Sequence, residues 1–222
     1  MLNSSDMKIQ PLFGDTFDVV KQSLLRWLAS FGPWSVHPMF TEEAGAAEVS
    51  AYEAFLGATV ISKEVLGYNT NRASYFSCAQ PCGSLFLDPD TGIRVEDKPR
   101  RWKNSPEEYL CSSELINLVK KRSPSALTLV FDKCIARGSE CPDMKAKLSH
   151  LAKMGVSSFA YWAQASFLIA GLEQSLVERA RAEIILRSHL PEKRILPVVH
   201  ASNGHPESQK GSRRRWPCSQ NG

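Results

Sequence analysis

The chain lacks a glycine-rich phosphate loop. Neither G-x-G-x-x-G nor G-x-x-x-x-G-K-[ST] occurs, and the first glycine–acid turn, Gly14-Asp15, is followed by no second or third glycine. Such loops let backbone N–H groups approach a pyrophosphate at a helix N-terminus, so a nucleotide cofactor bound in that manner is disfavoured. A long apolar span is missing too. Met154 to Leu172 carries no charged side chain, but Ser157, Ser158, Tyr161, Trp162, Gln164 and Ser166 break it into short runs. A membrane helix needs about 20 predominantly apolar residues. The stretch is read as a strand leading into a helix, and no membrane partner is expected. Met1 to Gln10 is polar, with no apolar segment of the secretory kind. The cysteines at 78, 82, 111, 134, 141 and 218 are irregularly spaced. That pattern predicts reduced thiols in a cytoplasmic protein and disfavours zinc.

Excess charge is scarce as well. The net +4 resides beyond residue 191, where Lys193, Arg194, Lys210, Arg213, Arg214 and Arg215 outnumber Glu192 and Glu207 by four. The body is therefore close to neutral, and no general basic face for nucleic acid is indicated. A weak nucleic-acid contact is expected only through Arg213 to Arg215. Hydrophobic content of 43% with 23% charged residues identifies a globular chain, not a disordered one. Residues 7–200 are expected to form a single domain, and 201–222 a disordered basic tail rich in Gly, Pro, Ser and Arg.

What the chain does contain is an alternation of helix and strand signals. A weak first strand is read at Met7 to Leu12. Phe17, Val20, Leu24, Leu28 and Phe31 recur at helical spacing behind an Asp15 or Thr16 cap, and Gly32-Pro33 stops them. Trp34 to Phe40 reads as a strand. Thr41-Glu42-Glu43 opens a helix faced by Val49, Tyr52, Phe55 and Leu56, with Gly57 at its end. Ala58 to Ser62 is a strand, Gly67 to Pro81 a loop with a strand over Ala73 to Cys78 as its alternative, and Ile93 to Arg101 a charged excursion or hairpin arm. Ser105-Pro106-Glu107-Glu108 carries a capping box for a helix running to Lys120-Lys121-Arg122. Leu127 to Asp132 and Val156 to Trp162 are strands separated by a helix over Pro142 to Met154. A last helix follows at Leu172 to Leu190. The pattern predicts an α/β fold: a single doubly wound, mostly parallel sheet of about five strands with flanking helices.

The centre of this arrangement is Ser84-Leu85-Phe86-Leu87-Asp88-Pro89-Asp90-Thr91-Gly92. Its apolar run reads as a strand buried on both faces, and the Asp-Pro-Asp-Thr-Gly that follows as a tight turn. Carboxylates at the carboxyl end of a central strand stand where open α/β sheets bind ligands. His37, Asp88, Asp90 and Asp132 are expected along that edge. Asp88, Asp90 and Asp132 would hold Mg²⁺ or Mn²⁺, because hard cations take carboxylate oxygens. Asp88, Asp132 and His37 would be the catalytic groups, His37 as acid, base or substrate contact.

Several resemblances follow from these residues. Gly14 to Asp18, His37 to Thr41, Leu85 to Gly92, and Val130 to Asp132 with Arg137-Gly138 resemble an uncharacterised group of microbial and phage proteins, which implies one domain and no particular mechanism. Asp88-Pro89-Asp90 resembles the Asp-Pro-Pro-Tyr segment of amino-methyltransferases, with Asp90 and Thr91 replacing the second proline and the base-stacking ring. It also resembles the Asp-x-Asp of Toprim domains. Glu96-Asp97-Lys98 resembles the Glu-x-Lys of restriction-type nucleases. The expected function is a metal-dependent enzyme acting on a phosphoester or nucleotide-containing substrate. The alternatives are a degenerate methyltransferase-like protein using the Asp88 loop for a substrate amine, and a non-catalytic binding protein of the same fold.

Trp216 is the one large apolar residue from Asn203 onward, so the tail has little to bury. Truncation after Ala201 is expected to leave the thermal midpoint nearly unchanged. A drop of many degrees in a melting scan would place the domain boundary further along the chain.

Overall fold

The computed structural model describes residues 14–77, 81–95, 105–133 and 138–201. The Met7 to Leu12 strand, Cys78, Cys134, the Glu96-Asp97-Lys98 triple, Arg137 and the basic tail from residue 202 lie outside these residues.

The described chain is α/β, as its alternating pattern predicts. Six strands form the main sheet: β1 (Trp34–His37), β2 (Thr59–Val60), β3 (Ser84–Leu87), β6 (Thr128–Lys133), β7 (Ser157–Tyr161) and β8 (Ala165–Gly171). Two short strands, β4 (Gly92–Arg94) and β5 (Tyr109–Cys111), pair in parallel as a separate ribbon. The main sheet runs in the order β2-β1-β3-β6-β8-β7. Its first four strands are parallel, whereas β8 is antiparallel to both β6 and β7.

Strand alternation sends successive side chains to opposite faces. On one face Val36, Phe86, Leu129, Phe131 and Phe167 pack with helices α1 (Thr16–Trp27), α2 (Ala46–Leu56) and α6 (Gln174–Ser188). On the other, Leu85, Leu87, Val130 and Leu168 pack with α3 (Arg72–Ser77), α4 (Ser112–Lys120) and α5 (Glu140–Lys153). Both strand faces are buried, which is why β3, β6 and β8 read as unbroken apolar runs rather than as alternation.

Several local expectations shift. The helix expected from Thr41 starts at Ala46, where the Glu48 carboxylate accepts the Gly45 N–H at 2.9 Å. The Ser105 capping signal closes only a 3-10 turn at Pro106–Glu108. The helix itself waits until Ser112, with Glu114 accepting the Cys111 N–H at 2.9 Å. Part of the expected loop before β3 is helical, forming α3 where the alternative reading had a strand from Ala73. The helix expected to follow β7 is instead strand β8, and α6 begins only at Gln174.

Leaving β1, the chain turns to α2 on one face; leaving β3, it goes by way of β4 and β5 to α4 on the other. The connections diverge between β1 and β3, and that divergence opens a crevice at their carboxyl ends. The turn after β3 is tied down across the edge. Thr91 N–H donates to Glu108 O at 2.9 Å, and Lys133 N–H donates to Thr91 O at 3.1 Å.

Gly92, next in the chain, sits at φ +129°, and a Cβ there would stand 2.2 Å from Asp132 Oδ1 and 2.9 Å from its Cα. Gly92→Ala is therefore expected to cost more than about 2 kcal/mol, since backbone and buried carboxylate both have to move. Gly155→Ala is the control. It has φ +80° but no atom of the described residues within 4 Å of the new Cβ, so its cost should be only about 1–2 kcal/mol. Denaturant midpoints of the two variants test the difference.

Candidate functional site

Asp88 is the first residue beyond β3, and its N–H extends the β1 pairing by donating to His37 O at 3.0 Å. Phe86 faces α1 and α2, so two residues on Asp88 faces them as well. Lys21 of α1 donates to Asp88 Oδ2 at 2.8 Å and to Asp18 Oδ1 at 2.9 Å. From α2, the Tyr52 hydroxyl donates to the same Asp88 Oδ2 at 2.5 Å. All four groups are buried. Both partners of Asp88 use Oδ2; among the described residues no hydrogen bond uses Oδ1.

This cluster forms part of the floor of a cleft of about 270 Å³ at the crevice between β1 and β3. Aromatic walls come from Phe17, Phe40, Tyr52 and Phe131, and the remaining charged groups are Asp15, Glu42, Asp90 and Lys133. Five carboxylates thus face the cleft against two lysines. Lys21 Nζ lies 4.7 Å from the Phe131 ring centre, and Lys133 Nζ 5.7 Å from that of Phe17. The field in the cleft is negative, favouring cations over phosphate.

Of the other expected groups, Asp132 and His37 do not join Asp88. Phe131 lines the cleft, so Asp132 beside it points to the opposite face. There Lys147 of α5 donates to Asp132 Oδ2 at 2.5 Å and pairs with Asp143 at 2.8 Å, while Ile93 N–H donates to Oδ1 at 2.9 Å. His37 is also turned to that face. Its ring lies 4.8 Å from that of Tyr75 and 5.5 Å from that of Phe76, and Nδ1 accepts the Met39 N–H at 3.4 Å. Nε2 is buried, and among the described residues no group meets it at hydrogen-bonding geometry. Burial lowers the imidazole to about 4, so it is neutral near pH 7. Asp90 is exposed at the rim. The carboxyl edge does collect His37, Asp88, Asp90 and Asp132, but strand alternation separates Asp132 from the other two acids. The expected sharing of one ion by Asp88, Asp90 and Asp132 is not what their geometry provides. Among the described residues, no three His, Cys, Asp or Glu side chains form a group able to hold a metal ion.

Sequence reading missed Lys21, Tyr52 and Lys147. Lys21 and Tyr52 lie on helices whose apolar spacing was legible, at positions facing the sheet, and that placement was the one signal that could have found them.

No protein-family model matches the chain, and no curated protein matches it in sequence. The chemistry of the cleft therefore carries the functional reading.

The buried pairs set the alkaline limit of stability. Burial pulls Lys21 down, but Asp88 and Asp18 outweigh it and hold the ammonium above the ordinary 10.5. For Lys147, Asp132 and Asp143 outweigh burial in the same way. A raised folded-state value means the stabilisation is complete below the unfolded lysine value and is lost as pH rises through the folded one. Burial also raises Asp88 and Asp132, against the pull of their lysines, so neither carboxyl adds acid lability. Denaturant midpoints are expected to fall above about pH 10.5, and less steeply in Lys147→Met measured relative to its own neutral value. An equal slope in that variant would mean that Lys147 holds its proton no more tightly folded than unfolded.

Proposed function

We propose that this chain is a degenerate methyltransferase-like protein whose Asp88 loop holds a substrate amine. The observation carrying this reading is the state of Asp88. Lys21 and Tyr52 clamp Oδ2, and the same carboxylate borders the cleft with no hydrogen bond on Oδ1 among the described residues. A fixed carboxylate oxygen at the end of a central strand is suited to accept an N–H, the role implied by the resemblance of Asp88-Pro89-Asp90 to the Asp-Pro-Pro-Tyr segment. The acidic cleft favours this reading over phosphoester chemistry, since a phosphate would enter against the field. Among the described residues, Cys82 and Cys141 carry free thiols, which favours a cytoplasmic setting. Among the described residues, no helix is long and apolar enough to cross a membrane.

The residues do not fit the S-adenosylmethionine that such enzymes use as donor. A volume of about 270 Å³ stands at the lower edge of the range of about 300–1,000 Å³ typical of drug-sized ligands, and suits one small molecule. The turn after β1 offers few donors to a nucleotide. Pro38 has no N–H, and that of Met39 is directed inward to His37. The chain is degenerate in this sense: it keeps the amine-holding loop without the pocket for a methyl donor.

Calorimetric titration with small primary amines, S-adenosylmethionine and Mg²⁺ tests the reading. Amines are expected to bind, and Tyr52→Phe should weaken them several-fold by loosening Asp88, at a cost of about 1 kcal/mol. Micromolar binding of S-adenosylmethionine would show the donor site to be intact. A Mg²⁺ response that Asp88→Asn abolishes, with no response to amines, would return the site to phosphoester chemistry.

A further inference from the structure

The charge and aromatic lining of the cleft narrow the class of amine, on the premise that Asp88 does receive one. We infer that the ligand is an alkylammonium ion, a protonated aliphatic amine, and not the neutral amino group of a nucleobase.

The floor holds two carboxylates, Asp18 and Asp88, against one ammonium, Lys21. It therefore retains a negative charge largely shut off from water, where attraction to a second cation is screened little. At the rim, Asp15, Glu42 and Asp90 are exposed and face the single ammonium of Lys133, which lies over the Phe17 ring. An incoming cation is thus drawn in at the rim and met by net negative charge at the floor, moderated at Asp18 by the N–H groups of Gly14 and Asp15 that donate to its Oδ2.

The walls suit the apolar part of the same ligand. Aromatic faces attract ammonium groups and their alkyl substituents, most strongly where water is excluded. The protein already uses this interaction, since the Lys21 ammonium rests 4.7 Å from the centre of the Phe131 ring. Phe17 lies 6.0 Å from Phe131, centre to centre, so the lining is continuous. A second ammonium beside Asp88 Oδ1 would have the same two kinds of partner, a carboxylate and rings.

A nucleobase meets the opposite conditions. Stacking calls for a ring after Asp88-Pro89, yet Thr91 is buried, with its hydroxyl donating to Glu108 at 3.0 Å, and Asp90 presents another carboxylate. Base, sugar and phosphate together also exceed one small-molecule volume, and the phosphate opposes the field.

The experiment is calorimetric titration of the full chain with n-butylammonium chloride, with n-butanol as neutral isostere, and with adenine. Butylammonium should bind at least about tenfold more tightly than butanol, the factor that one buried charge–charge contact readily supplies. Its affinity should fall as salt rises. Asp90→Asn and Glu42→Gln, both at the exposed rim, should each weaken it about two- to threefold. These variants should also leave the melting temperature unchanged, which separates loss of charge from loss of fold. Binding of adenine without butylammonium would overturn the alkylammonium assignment while leaving an amine site at Asp88. Equal affinity for butanol and butylammonium would overturn it too. Failure of butylammonium and adenine alike would sink the amine-site reading on which it rests.

Discussion

The contact between Lys21 and Asp88 is the interaction on which the rest of the site depends. It joins α1 to the end of β3 across 67 residues of chain, and Tyr52 brings α2 to the same oxygen. Removing an ammonium and two carboxylates from water costs several kcal/mol per ion, so the trio persists only because each group finds well-placed partners. Breaking it from one side would strand a buried charge. The position of Asp88 is consequently set by two helices and a strand at once, whereas a turn acid held by its own loop could swing. That rigidity suits a group that receives a ligand, because its orientation is settled before the ligand arrives.

A second buried pair works on the other side of the sheet. Asp132, Lys147 and Ile93 tie β6 to α5 and to the small β4–β5 ribbon, and Gly92 lets the ribbon come close enough. Two aspartates at the carboxyl edge thus have unlike tasks. One borders the cleft and the other anchors a ribbon beneath it. Their separation follows from the period of two along a strand. β3 and β6 pair Leu87 with Val130, so Asp88 stands level with Phe131, one residue short of Asp132, and the faces differ.

That register marks the limit of what the residues disclosed on their own. The apolar run before Asp88 announced a buried strand, and the following Pro, Asp and Gly announced its end. Both features are local. Register and face are not, and a shift of one residue exchanges a convergent pair of acids for a divergent one. Strand β8 was hidden for a related reason. Ala165 to Gly171 is buried on both faces, so it has no alternation to distinguish it from a helix in the core. The Ser105 capping signal was locally sound, but pairing of Tyr109 to Cys111 with β4 overrode continuation into a helix.

The turn after β1 shows how the crevice came to be acidic rather than phosphate-binding. Met39 is buried at φ +53°, in the left-handed region where glycine is the usual occupant. A side chain there costs about 1–2 kcal/mol unless its surroundings compensate. Here they do. Met39 packs in the cluster of Leu66, Tyr75 and Leu87, its N–H meets His37, and Leu66 N–H donates to Phe40 O at 2.7 Å. The turn keeps a glycine-like course but is shaped from inside by packing, and the Met39 N–H faces an imidazole instead of an anion. His37 accordingly supports the turn from below. With that donor withdrawn and carboxylates at the rim, what remains at the switch point is a small aromatic and acidic cleft suited to a cation.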